Sequence, residues 1–149
     1  MTAPASTIPE VKAYLVELIT TAVNDPTVLV CYGDPGTNQP DDIIAVRDIE
    51  QTLAPYELVG GGGAGWLYET YKVEIVVDVY RGGDFPRLVF ERACALVAIV
   101  ENAIRADPSL SGLVVTARPA GTHYASSWED DGKGRTCAAA MTIDVEARL

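Results

Sequence analysis

The sequence is poor in the residues that most often build metal sites and nucleophilic sites. His123 is its single histidine, which disfavours both a site of several histidine ligands and a Ser/His/Asp triad. The three cysteines, Cys31, Cys94 and Cys137, are odd in number, widely spaced and without a CxxC pair. This pattern indicates neither a disulfide framework nor a zinc site. We therefore expect buried thiols in a protein made in a reducing compartment, with no metal and no cofactor.

Basic residues and long apolar runs are also scarce. Eleven Lys and Arg stand against 21 Asp and Glu, which gives a net charge of −10. Because nucleic-acid binders neutralise phosphates with clustered Lys and Arg, that class is disfavoured, and so is binding to an anionic membrane surface. No apolar run approaches the about 18 residues of a membrane span, and no signal-peptide pattern opens the chain. With 149 residues, 48% of them hydrophobic, we expect one soluble domain over 1–149.

The first helix is predicted from a local start signal and an apolar period. Thr7 and Glu10 form the T-x-x-E pattern that is typical of a capping box, and Pro9 lies in the first turn. Apolar residues then recur at the spacing of a helix with one buried face: Val11, Leu15, Leu18, Ile19 and Ala22. The helix is expected to end at Asn-Asp-Pro, residues 24–26, because the residue before proline avoids helical angles.

A second helix is predicted over residues 85–106, with Asp84 as its N-cap and Pro86 in its first turn. Its apolar residues cover an arc of about 220°, roughly twice what packing on one sheet requires. A further layer must therefore cover this helix, and in so small a chain that layer is either the first helix or another subunit. Arg92 lies within the arc, where it either extends along the surface or pairs with an acid across a subunit boundary.

Strands are predicted where apolar residues alternate or form short β-branched runs between turn residues. The predicted strands cover residues 28–32, 43–46, 68–80, 113–118 and 135–149. Of these, only 43–46 also fits a short helix, and a strand is favoured. Mobile loops are expected near 33–42, 60–66 and 121–134. The element order predicts an α+β domain in which two main helices pack on one face of a mostly antiparallel sheet of four to five strands.

No segment carries a strong catalytic or ligand-binding signature, and we predict no catalytic residue. Residues 60–65 are GGGGAG and contain a formal G-x-G-x-x-G, but a strand pattern follows where a dinucleotide site needs a helix N-terminus. A hairpin loop is the better interpretation. The acids at 41–42 and 129–131 fit a solvated surface better than a cation site, because neither group has the spaced ligands of an EF-hand.

Aromatic residues in the predicted loops are candidate contacts with other proteins. Trp66 and Trp128 lie in glycine-rich or polar segments, outside any apolar period. They either pack locally over the end of the sheet or contact a partner, because Trp, Tyr and Arg contribute most to the energetics of interfaces. Tyr124, in the same predicted loop as Trp128, is included as a candidate partner contact.

Several runs of the sequence resemble one protein family. They are EIVVDVY at 74–80, ERACALV at 91–97, VENAIRADPSLSG at 100–112 and the ending MTIDVEARL at 141–149. Together with the opening amphipathic helix, these runs resemble the tail terminator proteins of long-tailed bacteriophages, in size and element order over most of the chain. The family has no catalytic signature, and the loops at 60–65 and around Trp128 do not map onto it.

The resemblance implies a small virion subunit that forms a hexameric ring at the head–tail junction and is assembled in the host cytoplasm. Such a ring caps the tail tube, stops its polymerisation and offers a docking surface for head joining. The implied partners are further copies of the chain, the tail tube protein, a head completion or connector protein, and genomic DNA that passes through the lumen without specific binding. The net negative charge fits that passage because acids repel phosphates.

We expect the subunit interface on the second helix, at Phe90, Arg92, Val97, Val100 and Ile104. Three alternatives stay open. The first is another ring protein of the same particle, such as a head completion or neck protein. The second is a small soluble enzyme or ligand-binding domain that uses the loop ends near His123, Asp34 and Asp41. The third is a structural domain without a known partner.

Overall fold

The computed structural model describes residues 5–36, 39–55, 67–128 and 132–149. In chain order the elements are α1 (Ile8–Val23), β1 (Val28–Tyr32), β2 (Asp42–Pro55), β3 (Leu67–Gly82), α2 (Pro86–Ala106), β4 (Thr116–Trp128) and β5 (Gly134–Arg148). Both predicted helices and four of the predicted strands are confirmed, with 43–46 forming the start of the longer β2. The glycine loop and Trp66 lie outside the described residues. No helix in the described part of the chain is long and apolar enough to cross a membrane.

The five strands form one sheet in the order β1-β2-β3-β5-β4. Only β1 and β2 are parallel, and every other neighbouring pair is antiparallel. The α+β class with a mostly antiparallel sheet is therefore confirmed. Parallel neighbours usually need a longer crossover than residues 33–41 provide. Because β1 has only five residues, about 16 Å, residues 33–41 are long enough to return the chain to the start of β2.

Both helices lie on one face of the sheet, where they build the core. Helix α1 contacts α2, β1 and β2, while α2 also contacts β3, β4 and β5. The predicted alternation is confirmed on β3 and β5, although Val76, expected to face outward, is buried as well. The apolar side chains that these two strands bury in the core are Tyr71, Val73, Ile75, Val77 and Val79 of β3 and Cys137, Ala139, Met141, Ile143, Val145 and Ala147 of β5. Burying each large apolar side chain contributes about 1.5–3 kcal/mol before entropy is subtracted.

The capping bond predicted for Thr7 at α1 and the N-cap residue predicted for α2 are wrong. Thr7 holds the N-cap position of α1 but makes no side-chain cap bond, and its hydroxyl donates to the Glu69 carboxylate at 2.9 Å. At α2 the N-cap position belongs to Phe85, while Asp84 pairs with Arg135 of β5 at 2.9 Å. In both cases a charged partner on the sheet offers a stronger bond than the local backbone amide does.

The segment after Gly121, expected to be a loop, is a strand. Strand β4 begins at Thr116 and pairs with β5 as far as Trp128, with one irregularity between Pro119 and Gly121. Residues 113–115, predicted as strand, lie in turns before it. The strand has little apolar alternation because it is at the edge of the sheet and most of its side chains are exposed, so pairing with β5 determines its conformation.

Candidate interaction surfaces

Three of the five residues expected at a subunit interface on α2 lie in the core of their own chain. Val97, Val100 and Ile104 are fully buried among α1 and sheet residues. The wide apolar arc is thus covered by the first helix and by the sheet, which is one of the two arrangements considered above. The expectation that this side of α2 contacts another subunit is corrected, because these side chains present no surface for a partner.

Arg92 also acts within the chain, where it joins α2 to the start of β2. Its Nε donates to Asp42 Oδ2 at 2.9 Å, and its Nη2 lies 3.4 Å from Asp25 Oδ2 in the turn after α1. Arg81 at the end of β3 binds the same Asp42 through two nitrogens, at 2.6 and 3.1 Å. Burial by itself would raise the pKa of Asp42, but the bonds from Arg81 and Arg92 outweigh it and hold that pKa below its usual value.

Phe90 remains accessible beside the edge strand β4. Its side chain is 41% exposed, and its ring lies 5.4 Å from the Tyr124 ring in an edge-to-face contact. Tyr124 is a half-buried strand residue, and burial together with the nearby Cys94 raises the pKa of its hydroxyl. The aromatic pair therefore forms an apolar shoulder on the helix side of β4.

Trp128, at the end of β4, continues this shoulder. Its side chain is 44% exposed, and the Arg135 guanidinium lies 3.6 Å from the centre of its ring. Arg135 is itself held by the 2.9 Å bond to Asp84, so the ring, the arginine and the start of α2 are linked. A cation–π contact of this kind fixes the indole while leaving its outer surface accessible. We call Phe90, Tyr124 and Trp128 the β4 shoulder.

Glu69 of β3 is a buried carboxylate that sequence reasoning missed. It accepts hydrogen bonds from the Ser6 hydroxyl, the Thr7 amide at 3.1 Å, the Thr7 hydroxyl and Gln51 Nε2 at 2.6 Å. Burial opposes its charge, but these donors outweigh burial and lower the pKa of Glu69. The carboxylate ties the first turn of α1 to the sheet. The one sequence signal for this role is that Glu69 occupies a position of β3 where the alternation calls for an apolar residue.

The sheet face opposite the helices carries many polar and charged side chains, together with the buried apolar residues Ile43, Ala45 and Val76. A groove of 380 Å³ crosses it between β2, β3, β5 and β4, lined mainly by threonines and charged residues that include Glu50, Lys72, Arg118, Asp144 and Glu146. Lys72 Nζ lies 2.9 Å from Asp144 Oδ1, so part of this charge is paired within the chain. In the described ranges no three His, Cys, Asp or Glu side chains come together as possible metal ligands.

The residues of the alternative ligand site are not brought together. His123 lies on β4 at one edge of the sheet, and Asp34 follows β1 at the other edge, where it pairs with Arg47 at 2.8 Å. Asp41 precedes β2, which is separated from β4 by two strands. Strands are about 4.8 Å apart, so His123 is at least about 14 Å from either acid across the sheet. These residues cannot act on one small molecule.

Comparisons with known proteins give a likeness of fold. No family model matches the chain, and no curated protein matches it by sequence. A chain in a solved structure described as "Virion of native gene transfer agent (GTA) particle" is similar to it, with a TM-score of 0.51 and 14% sequence identity. The similarity covers 91% of this chain and 94% of that chain. At this identity it shows a shared fold over nearly the full length of both chains.

Proposed function

We propose that this protein is a structural subunit of a phage-like virion. More specifically, copies of it form a hexameric ring that ends the tail tube and provides the surface for head joining. The observation that carries the proposal is the fold shared, over 91% of this chain, with a chain of a gene transfer agent virion. The resemblance of the runs at 74–80, 91–97, 100–112 and 141–149 to tail terminator proteins supports the finer role.

The surfaces of the described residues also favour binding over catalysis. The most concentrated charge network joins elements of the same chain, and its central carboxylate, Asp42, is shielded from solvent. The groove on the open face is lined by residues of both charges. By contrast, Phe90 and Trp128 keep large apolar surfaces accessible. In this proposal the protein acts through contacts with other proteins, and DNA passes the ring without specific binding.

The experiment that tests the proposal is a mass measurement combined with a copurification. The purified chain should give a particle of six chain masses by native mass spectrometry. Coexpressed with the tail tube protein of its own particle and without heads, it should be found at one end of finite tubes. A single-chain mass at every concentration would overturn the ring. Association with heads but not with tubes would assign the ring to the neck.

A further inference from the structure

The sheet has two edge strands, β1 and β4, that differ in sequence and direction of pairing. An edge strand presents a row of unpaired backbone amides and carbonyls. Proteins that remain monomeric usually protect such edges with charged side chains, proline or bulges. The protection of each edge therefore indicates whether another strand can be added there.

On β4 the outward backbone groups can be assigned from the ladder. The Val115 amide donates to the Glu146 carbonyl at 2.9 Å, so even-numbered β5 residues face β4. The backbone amides and carbonyls of the β4 residues opposite odd-numbered β5 residues therefore point away from the sheet. The Ala117 amide is one of these outward groups, and it donates to the Pro108 carbonyl at 2.7 Å. Beyond the irregularity, the residues with outward groups are Thr122, Tyr124, Ser126 and Trp128.

The two halves of β4 are protected differently. In the first half Pro119 has no amide to offer, the bulge follows it, and the Ala117 amide is already bonded. From Thr122 to Trp128 the sequence THYASSW has no charged residue and no proline. Within the described ranges no backbone group bonds to the outer side of this half. The β4 shoulder lies beside it.

On β1 the same reasoning identifies Val30 and Tyr32. The Gly33 amide donates to the Val46 carbonyl at 2.8 Å, so the odd-numbered residues of β1 face β2 and the even-numbered ones face outward. The sequence of β1, VLVCY, also lacks charge and proline. Two of its apolar side chains are accessible, with Tyr32 57% and Leu29 37% exposed.

We propose that β1 of one copy adds to the Thr122–Trp128 half of β4 in the next copy, which extends the sheet from subunit to subunit. Main-chain hydrogen bonds would form between the outward groups of Val30 and Tyr32 and those of β4. The apolar side chain of Tyr32, which lies on the helix side of β1, would then cover the β4 shoulder. This inference rests on the proposed ring and names the surfaces that close it.

A second copy of the chain is the occupant that these observations favour. The two edges are different surfaces, and a contact between different surfaces repeats head to tail and closes into a ring when the rotation allows. Pairing of β4 with β4 would be self-complementary and would stop at a dimer. Each edge also has exposed apolar side chains that the other would cover.

The test blocks one edge in each of two variants. Ser126→Pro removes an outward amide of β4, and Tyr32→Pro removes one of β1, while neither amide belongs to the ladder inside the chain. Ser126→Ala and Tyr32→Ala keep the amide and serve as matched controls for the lost side chain. Circular dichroism checks that each variant is folded. Ser126→Lys and Tyr32→Lys replace any proline variant that fails to fold.

Each blocked variant should stay a single chain, or need at least about tenfold more protein to assemble than its alanine control. Mixed in equal amounts, the two should form a particle of two chain masses, because each keeps the edge that the other lacks. If both variants assemble like the wild type, the edges are not the contact although the ring exists. Assembly of Tyr32→Pro alone would likewise overturn the pairing of β4 with β1. A wild-type chain that never assembles would instead overturn the ring itself.

Discussion

Arg92 of α2 donates through its Nε to Asp42 of β2 at 2.9 Å, and this bond connects the helical layer to the sheet at a buried carboxylate. Asp42 is shielded from solvent, whereas Arg92 and Arg81 each keep about a third of their side chain exposed. The carboxylate is therefore the member of the network that depends most on its partners. Removing it leaves two cations facing each other in a partly desolvated site.

Replacement of Asp42 should be costly for this reason. Asp42→Ala should lower the free energy of unfolding by about 2–3 kcal/mol, below the full cost of a broken buried pair because the arginines remain partly solvated. Urea unfolding at neutral pH measures the change. Glu91→Ala removes the partner of Arg87 from an exposed pair and should have no measurable effect. An Asp42→Ala variant as stable as this control would contradict the role assigned to the network.

Acid should destabilise the protein through Asp42 and Glu69. Both carboxyls have lowered pKa values in the folded chain, so the folded state binds fewer protons than the unfolded state in mildly acidic solution. Their stabilising contribution is complete above their unfolded pKa values and is lost as the pH falls through their folded ones, from about pH 5 downward. Urea unfolding at a series of pH values from 7 to 3 measures this decline.

Glu69→Gln assigns part of that decline to one residue. The variant should be less stable at neutral pH, because an amide accepts fewer hydrogen bonds from Ser6, Thr7 and Gln51, and its stability should fall less steeply in acid. Glu74→Gln, a residue of the same strand, is the matched control for the change of charge. An unaltered slope in Glu69→Gln would show that the carboxylate does not titrate as its environment requires.

Substitutions at the buried side of α2 should act on folding and not on assembly. Ile104→Ala should cost about 2–5 kcal/mol, and Ile104→Asp should prevent folding because it places an uncompensated charge in the core. Thermal unfolding and far-UV circular dichroism measure both. Asn102→Asp, at an exposed position of the same helix, should fold normally. A folded, monomeric Ile104→Asp would show that this side chain lies on a surface.

Gly134 and Gly82 face each other on β5 and β3 but should respond differently to alanine. A Cβ at Gly134 would lie 2.6 Å from the Arg81 carbonyl oxygen and against the Tyr80 ring, and the backbone oxygen cannot move away cheaply. Gly134→Ala should therefore lose about 1–3 kcal/mol of stability. At Gly82 the nearest atom would be 4.0 Å away, so Gly82→Ala is the matched control. Equal stability of the two variants would contradict the close approach.

The elements that the sequence predicted correctly are those in which the regular spacing of apolar residues matches the buried positions. Val73, Ile75 and Val77 alternate with outward residues, and all three are buried. Strand β2 was recognised only as far as Val46, because a register shift between Val46 and Ile49 moves the apolar residues to the other parity. A pattern of period two cannot be followed across such a shift without knowing where the extra residue lies.

The candidate surfaces were harder to predict because long-range partners decide them. Val97 and Phe90 belong to one apolar arc in sequence, but α1 and the sheet bury the first and leave the second accessible. Tyr124 and Trp128 were expected in a loop, since an edge strand with exposed side chains has no apolar alternation. The partners of Thr7 and Arg92 are more than 40 residues away in sequence, which no local pattern reveals.

The position of β5 in the sheet affects how the chain can fold during its synthesis on the ribosome. This strand is translated after the other four, yet it lies between β3 and β4. Until β5 has left the exit tunnel, β3 can therefore pair only with β2, and β4 has no native neighbour. Such late, non-local pairing slows folding. A chain released early, before Gly134, would lack the strand against which β4 is laid down. Such a truncated copy would lack the β4 edge of the proposed contact while keeping the β1 edge.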